Sequence, residues 1–183
     1  ARSYPLLPLR GSVSGPIRVS GTAPDLQLDA DLTGAAGHLT YAGRVDADSV
    51  GGYGAKGSGA FDALSAALLV GRSTPQSRLA GQYDVDLVGD SLATLAGALS
   101  LRLEPSEIDG MRIASGAARV RFDQGIMQVD TLELESVPGT LRAHGVLGLT
   151  RAPGADSLVV AFDVDSLGGL RRYLRSTTTL TGK

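Results

Sequence analysis

No cysteine occurs anywhere in the 183 residues, which excludes a disulfide framework, a thiolate metal site and a cysteine nucleophile together. Tryptophan is also absent, and aromatic residues make up only 4% of the chain, too little bulk to plug a large closed core with rings. No apolar run approaches the ~20 residues that a membrane-spanning helix needs. Charge does not lean to one sign either. Lys and Arg number 17 against 19 Asp and Glu, with no basic run to grip a phosphate backbone, so nucleic acid is not an expected partner. The opening residues Ala1 to Pro8 lack the basic, apolar, small-residue order of a signal peptide. Neither end carries an obvious cap, as expected of a segment from a longer chain.

What the chain does contain is small and aliphatic. The hydrophobic fraction is 43%, supplied by Leu, Val, Ala and Ile, and 25 glycines are scattered without a collagen-like period. That mixture predicts many short strands and frequent turns. The length suits one unit spanning residues 1–183.

Strict alternation of apolar and polar residues is the dominant signal. Leu26, Leu28, Ala30 and Leu32 interleave with Gln27, Asp29 and Asp31, and Leu39, Tyr41, Gly43 and Val45 with His38, Thr40, Ala42 and Arg44. The same rhythm runs through Leu99 to Leu103, Ala118 to Phe122 and Leu158 to Val164. Period two places one set on a dry face and the other in water. Turn clusters separate the runs: Gly34 to Gly37, Asp46 to Gly52, Asp109-Gly110, Asp123-Gln124-Gly125, Pro138-Gly139 and Ala152 to Gly154. The expected fold class is therefore all-β, an antiparallel meander. Glycine inside successive runs, at Gly21, Gly43, Gly81, Gly97 and the Leu141 to Leu149 stretch, fits either unrelated bulges or a sheet curled along its length.

One or two short helices are expected beside the sheet. Residues 62–70 suit a helix capped by Asp62 and stopped by Gly71. Residues 166–175 place Leu167, Leu170 and Leu174 on one helical face, with Arg171, Arg172 and Arg175 opposite, where they complement the helix dipole.

No constellation carries chemistry. Gly52-Tyr53-Gly54-Ala55-Lys56-Gly57 fits the dinucleotide spacing GxGxxG, but the preceding run is half charged and no helix opens directly after it, so a glycine-rich turn is the preferred reading. The overlapping stretch from Gly51 misses the calcium repeat GGxGxD, because Lys56 stands where the ligand Asp belongs. His38 and His144 fall on the polar sides of separate runs, without further metal ligands near them. The pairs Asp29/Asp31, Asp84/Asp86 and Asp163/Asp165 share a solvent face and keep strands soluble rather than forming an acid–base dyad. The chain is expected not to be an enzyme and to need no cofactor or metal.

Several stretches resemble a known family. They are Gly11 to Val19 with Gly21, and then, between Ser77 and Leu149, Arg78-Leu79-Ala80-Gly81, Ser91 to Gly97, Leu99 to Leu103, Glu104 to Gly110, Val120 to Gly125, Val129 to Ser136 and Ala143 to Leu149. This texture of alternation and glycine resembles TamB-like proteins, the inner-membrane component of the translocation and assembly module, which are related to AsmA-like proteins. The resemblance implies a U-shaped, taco-like β-groove with an apolar inner wall. It implies phospholipid acyl chains as cargo, the periplasm of a Gram-negative envelope as location, and a parent chain anchored in the inner membrane. Neighbouring β segments of that parent chain and an outer-membrane assembly barrel are the implied protein partners. The groove-lining candidates are Leu28, Leu39, Tyr41, Val45, Leu99, Leu101, Val120, Phe122, Leu147, Val160 and Phe162, subject to register, since a one-residue slip reverses every face. The alternative reading is a structural or adhesive module of a surface protein, built as a closed β-sandwich or a β-solenoid.

Overall fold

The computed structural model describes residues 12–46, 52–65, 76–137, 139–150 and 156–164. These form twelve strands and, among the described residues, no helix. In chain order they are β1 (Val13–Ser14), β2 (Ile17–Thr22), β3 (Asp25–Gly34), β4 (Gly37–Asp46), β5 (Tyr53–Leu64) and β6 (Ser77–Gly89). Then come β7 (Ala96–Leu103), β8 (Ser106–Ile108), β9 (Met111–Asp123), β10 (Ile126–Ser136), β11 (Gly139–Gly148) and β12 (Ser157–Val164). The all-β expectation holds.

All twelve belong to one sheet ordered β1-β3-β4-β5-β6-β7-β9-β10-β11-β12, with β2 beside β3 and β8 between β6 and β9. Every ladder among the described residues is antiparallel, so the chain runs as a meander in sequence order. Two positions on this path are split strands, and proline accounts for both. β1 and β2 are one row interrupted at Gly15-Pro16, and β7 and β8 are one row interrupted at Glu104-Pro105. Proline has no amide to give the ladder, so pairing lapses there and resumes beyond it. The neighbouring backbone is still satisfied: Asp31 donates its amide to the Pro16 carbonyl at 3.0 Å, and Glu104 donates to Ala80 at 2.9 Å.

The tight turns fall where local chemistry puts them. Asp109-Gly110 and Gln124-Gly125 both have positive φ at their two central residues, 50° and 79° in the first and 46° and 83° in the second. That is the primed hairpin turn whose twist matches the strands it joins. Gly34 pairs directly with Gly37 across Ala35-Ala36.

Two expectations fail in the same place. The glycine-rich stretch from residue 52 is not a turn, since Tyr53 to Leu64 is the long strand β5, paired with β4 and β6. Its backbone amides serve ladders rather than a phosphate. The helix expected over residues 62–70 does not begin at Asp62, because Asp62 pairs with His38 and Leu64 with Leu79 as strand residues. Ladder bonds with two neighbours outweigh the weak helical bias of a short Ala/Leu run. The remainder of that segment, and the helix expected over 166–175, lie outside the described residues.

The sheet is curled rather than flat. The register shifts between Phe61 and Leu64, where Ala63 adopts φ 51°, and again around Asp130 in β10. Such bulges bend and twist the strand that carries them. Gly97 and Gly145 add kinks of a different kind, with φ 122° and 148°. A Cβ at either would lie 2.0 Å from a backbone carbonyl oxygen of the adjacent strand, so only glycine lets the strands meet there.

Candidate functional site

Register decides which side chains share a face, and here it sorts them sharply. One row crosses the whole sheet: Val19, Leu28, Gly43, Gly57, Val85, Leu99, Val120, Val129, Gly145 and Leu158, each opposite the next. A second row runs Gly21, Leu26, Val45, Ala55, Leu87, Gly97, Phe122, Met127, Leu147. A third runs Leu32, Leu39, Phe61, Gly81, Leu103, Gly116, Leu134, Leu141, Phe162. Between the first and third lies the row of Ala30 and Tyr41, continuing through Gly59, Tyr83, Leu101 and Ala118 to Leu132, Ala143 and Val160. None of these rows contains a charged residue. With the ten strands of the path ~4.8 Å apart, the uncharged face extends roughly 43 Å across the sheet.

All the groove candidates from the sequence fall on this face. Leu28, Leu99 and Val120 share the first row, Val45, Phe122 and Leu147 the second, Leu39 and Phe162 the third, and Tyr41, Leu101 and Val160 the fourth. Among the described residues no second layer covers them, and every strand pair in substantial contact is also a hydrogen-bonded neighbour in the sheet. Few side chains are therefore fully buried: Phe61, Leu103, Ile113, Val129 and Ala143 are the apolar ones. The face is an open surface, not a core.

Sequence reasoning named Tyr41 but missed Phe61 and Tyr83, which with it form an aromatic inlay on β4, β5 and β6. Phe61 and Tyr83 stack with ring centroids 6.5 Å apart and planes inclined by 28°. Each ring lies over a glycine of the facing strand. A Cβ at Gly81 would sit 3.0 Å from the Phe61 ring, and one at Gly59 would sit 2.7 Å from the Tyr83 ring. Tyr41 covers Gly57 in the same way, at 3.0 Å. The glycines leave shallow seats on the sheet, and the rings fill them. The phenol hydroxyls are turned back to the backbone: Tyr83 donates to the Thr40 carbonyl at 2.8 Å and Tyr41 to the Arg44 carbonyl at 3.1 Å. Burial holds both phenols above their ordinary pKa, and for Tyr83 the neighbouring Tyr41 adds to the rise. The signal was present in β5, where Lys56, Ser58 and Asp62 alternate with Gly57, Gly59 and Phe61. Glycines standing where Leu or Val usually mark the pattern hid it.

The opposite face is polar and laced by ion pairs between neighbouring strands. Lys56 meets Asp86 at 2.6 Å, and His38 meets Asp31 at 2.7 Å. Arg121 grips Asp130 with two bonds of 2.7 and 2.6 Å, and Arg142 bridges Glu133 and Asp163 at 2.8 and 3.0 Å. Arg121 holds the Asp130 carboxyl below its ordinary pKa, and Thr94 and Ser91 do the same for Asp90 by hydrogen bonding. Each exposed pair adds little stability, but their placement marks this face as the wet one. His38 and His144 lie on it, opposite Thr33 and Val159 respectively, as do Asp29, Asp31, Asp84 and Asp86. A depression of about 550 Å³ sits on the same face, with Arg18, Asp29, Asp31, Gln82 and Asp84 around a floor of Ala42, Ser58 and Ala60. Short floor residues between long charged ones explain it. No buried side-chain polar atom among the described residues lacks a hydrogen-bond partner.

Among the described residues no group of three or more His, Asp or Glu is placed to hold a metal ion, and no helix is long and apolar enough to cross a membrane. The molecule is thus an all-β protein whose described residues form a single antiparallel sheet with one uncharged and one charged face. No protein-family model, curated protein or solved structure matches the chain.

Proposed function

We propose that this chain is a non-enzymatic, periplasmic β-groove of the TamB/AsmA-like kind, which carries phospholipid acyl chains along its uncharged face. In this reading the parent chain is anchored in the inner membrane. Neighbouring β segments lengthen the groove toward an outer-membrane assembly barrel, and the transport supports outer-membrane biogenesis.

The observation that supports the reading is the absence of charge from every row of a face that no second layer covers among the described residues. Taking an acyl chain from a bilayer into water costs ~0.8 kcal/mol per CH₂. A wall of Leu, Val, Ala and Phe side chains removes most of that cost without fixing the chain at one position, so the lipid slides. The polar face keeps the carrier in water while its other face is occupied. A groove roughly 43 Å long exceeds the ~15 Å of half a hydrocarbon core, so one whole lipid fits along it.

The test is native mass spectrometry with lipid extraction, on protein purified from a bacterial envelope fraction. Co-purifying phospholipid is expected, and it should be lost from Leu101→Asp and Val120→Asp variants that keep the β signature in circular dichroism. Leu101 stands between Tyr83 and Ala118, and Val120 between Leu99 and Val129, so either carboxylate lands mid-face. Folded wild type with no affinity for added phospholipid would sink the transport reading and favour a structural or adhesive module.

A further inference from the structure

A smaller depression on the polar face, about 260 Å³, lies over β7 and β9 near the middle of the sheet. Its floor is short, Ser100 and Ala117, and Arg102 and Arg119 stand on either side of it. Register places them so: Ser100 is opposite Arg119, and Arg102 is opposite Ala117. The two arginines are therefore diagonal neighbours about 7–8 Å apart, and both guanidinium groups can reach one point above the floor. Thr131 stands opposite Arg119 on β10, and Gln82 opposite Arg102 on β6. Asp84, opposite Ser100, is the one acid that lines the depression.

Two like charges over one small floor repel each other, and the nearby carboxylates are engaged elsewhere. Asp130 is held by Arg121, Glu133 by Arg142 and Glu104 by Gln82. Among the described residues neither Arg102 nor Arg119 makes an ion pair, and Arg119 acts on Asp130 only through its field. Beyond the described residues the sequence holds two acidic side chains, Asp48 and Asp165. Asp48 follows the end of β4 by two residues, and Asp165 follows the end of β12 by one. β4 is three strands from β7 and β12 three from β9, roughly 14 Å in each case. Both ends also lie four or more residues along the ladders from the level of Ser100 and Arg119. Neither acid reaches the floor.

We propose that this depression binds a phosphate-type oxyanion. The guanidinium fork matches paired phosphate oxygens, and two forks with the Ser100 and Thr131 hydroxyls supply donors from several sides. That arrangement suits a tetrahedral anion better than a planar carboxylate. Asp84 faces the same floor and opposes the anion, so it holds the affinity down. The chemistry recognised is the phosphoryl group, whether of free phosphate or of a phospholipid headgroup. The site lies on the face opposite the uncharged one, and the inference stands whether or not acyl chains bind there.

Inorganic phosphate is titrated into the lipid-free 183-residue chain at low ionic strength, and the backbone and arginine Nε–H signals are followed by NMR. Saturable shifts are expected at Arg102, Arg119 and Ser100. Arg102→Gln and Arg119→Gln should each weaken binding at least about tenfold, as the loss of a charge-assisted hydrogen bond does. Asp84→Asn should tighten it. Arg44→Gln removes the same unit of charge from the polar face outside the depression and should leave the affinity unchanged. All four side chains are exposed, so the variants keep the fold, which circular dichroism checks. Glycerophosphoglycerol, the deacylated headgroup of an anionic phospholipid, separates the two sources. Binding as tight as that of phosphate assigns a lipid headgroup, and binding of phosphate alone assigns a free phosphate or phosphomonoester. Absence of saturable shifts would overturn the proposal. So would an Arg44→Gln loss equal to that of Arg119→Gln, which would reduce the effect to net charge.

Discussion

Replacing Phe61 with alanine removes the ring that seats on Gly81 and stacks on Tyr83, and the magnitude of the loss distinguishes a one-layer sheet from a closed core. Phe61 is only 7% exposed, although no second sheet covers it among the described residues. Phe→Ala in a closed core costs about 3–5 kcal/mol, part of which is the void left behind. On an open face that void fills with solvent, so most of the cavity contribution disappears. What remains is about 1.5–3 kcal/mol of lost burial and about 0.5–1.5 kcal/mol of ring-to-ring contact with Tyr83. The expected loss is about 2–4.5 kcal/mol, or a melting temperature lower by roughly 4–18 °C for a chain of this size. Urea and thermal unfolding followed by circular dichroism would measure it. A double-mutant cycle with Tyr83→Leu should isolate a coupling of about 0.5–1.5 kcal/mol between the rings. A loss below about 1 kcal/mol, or no coupling, would refute the packing described for the inlay.

Three further outcomes follow from the same geometry. Gly97→Ala forces a side chain into φ 122° and against the Asp86 carbonyl, so it should destabilise by more than about 1 kcal/mol in urea unfolding, while Gly110→Ala, whose Cβ meets nothing within 4 Å, should suffer only its φ of 79°. The Asp130 carboxyl, held low by Arg121, should titrate below an ordinary aspartate in a carbon-detected NMR experiment and move back toward it in Arg121→Gln. Its folded pKa is depressed, so its contribution is present above the unfolded value of ~3.9 and is lost as pH falls through the folded one; a wild type and Arg121→Gln that lose stability identically in acid would contradict this. Tyr83 is the opposite case. Its raised pKa means its contribution is intact below ~10 and is lost as pH rises through the folded value, visible as late phenolate absorbance that Tyr83→Phe removes.

The sequence by itself determined the strands of β3, β4, β7 and β9, the faces within each, and the hairpins at Gly34 to Gly37, Asp109-Gly110 and Gln124-Gly125. Alternation and turn chemistry are local, operating over two to four residues, and they are readable without knowing what lies alongside. The same locality placed every groove candidate on one side of its own strand. Only the tertiary structure decided that those separate sides align as one face, because alignment depends on which strand pairs with which and in what register. It also decided β5. A run of Tyr, Gly, Ala, Lys and Ser has little strand preference of its own and becomes a strand because β4 and β6 offer two ladders and aromatic rings to cover its glycines. The inlay itself joins residues as far apart as Thr40 and Tyr83, a separation that no periodicity spans. The bulges at Ala63 and Asp130 belong to the same class, since an extra residue in one strand has meaning only against the partner that lacks it.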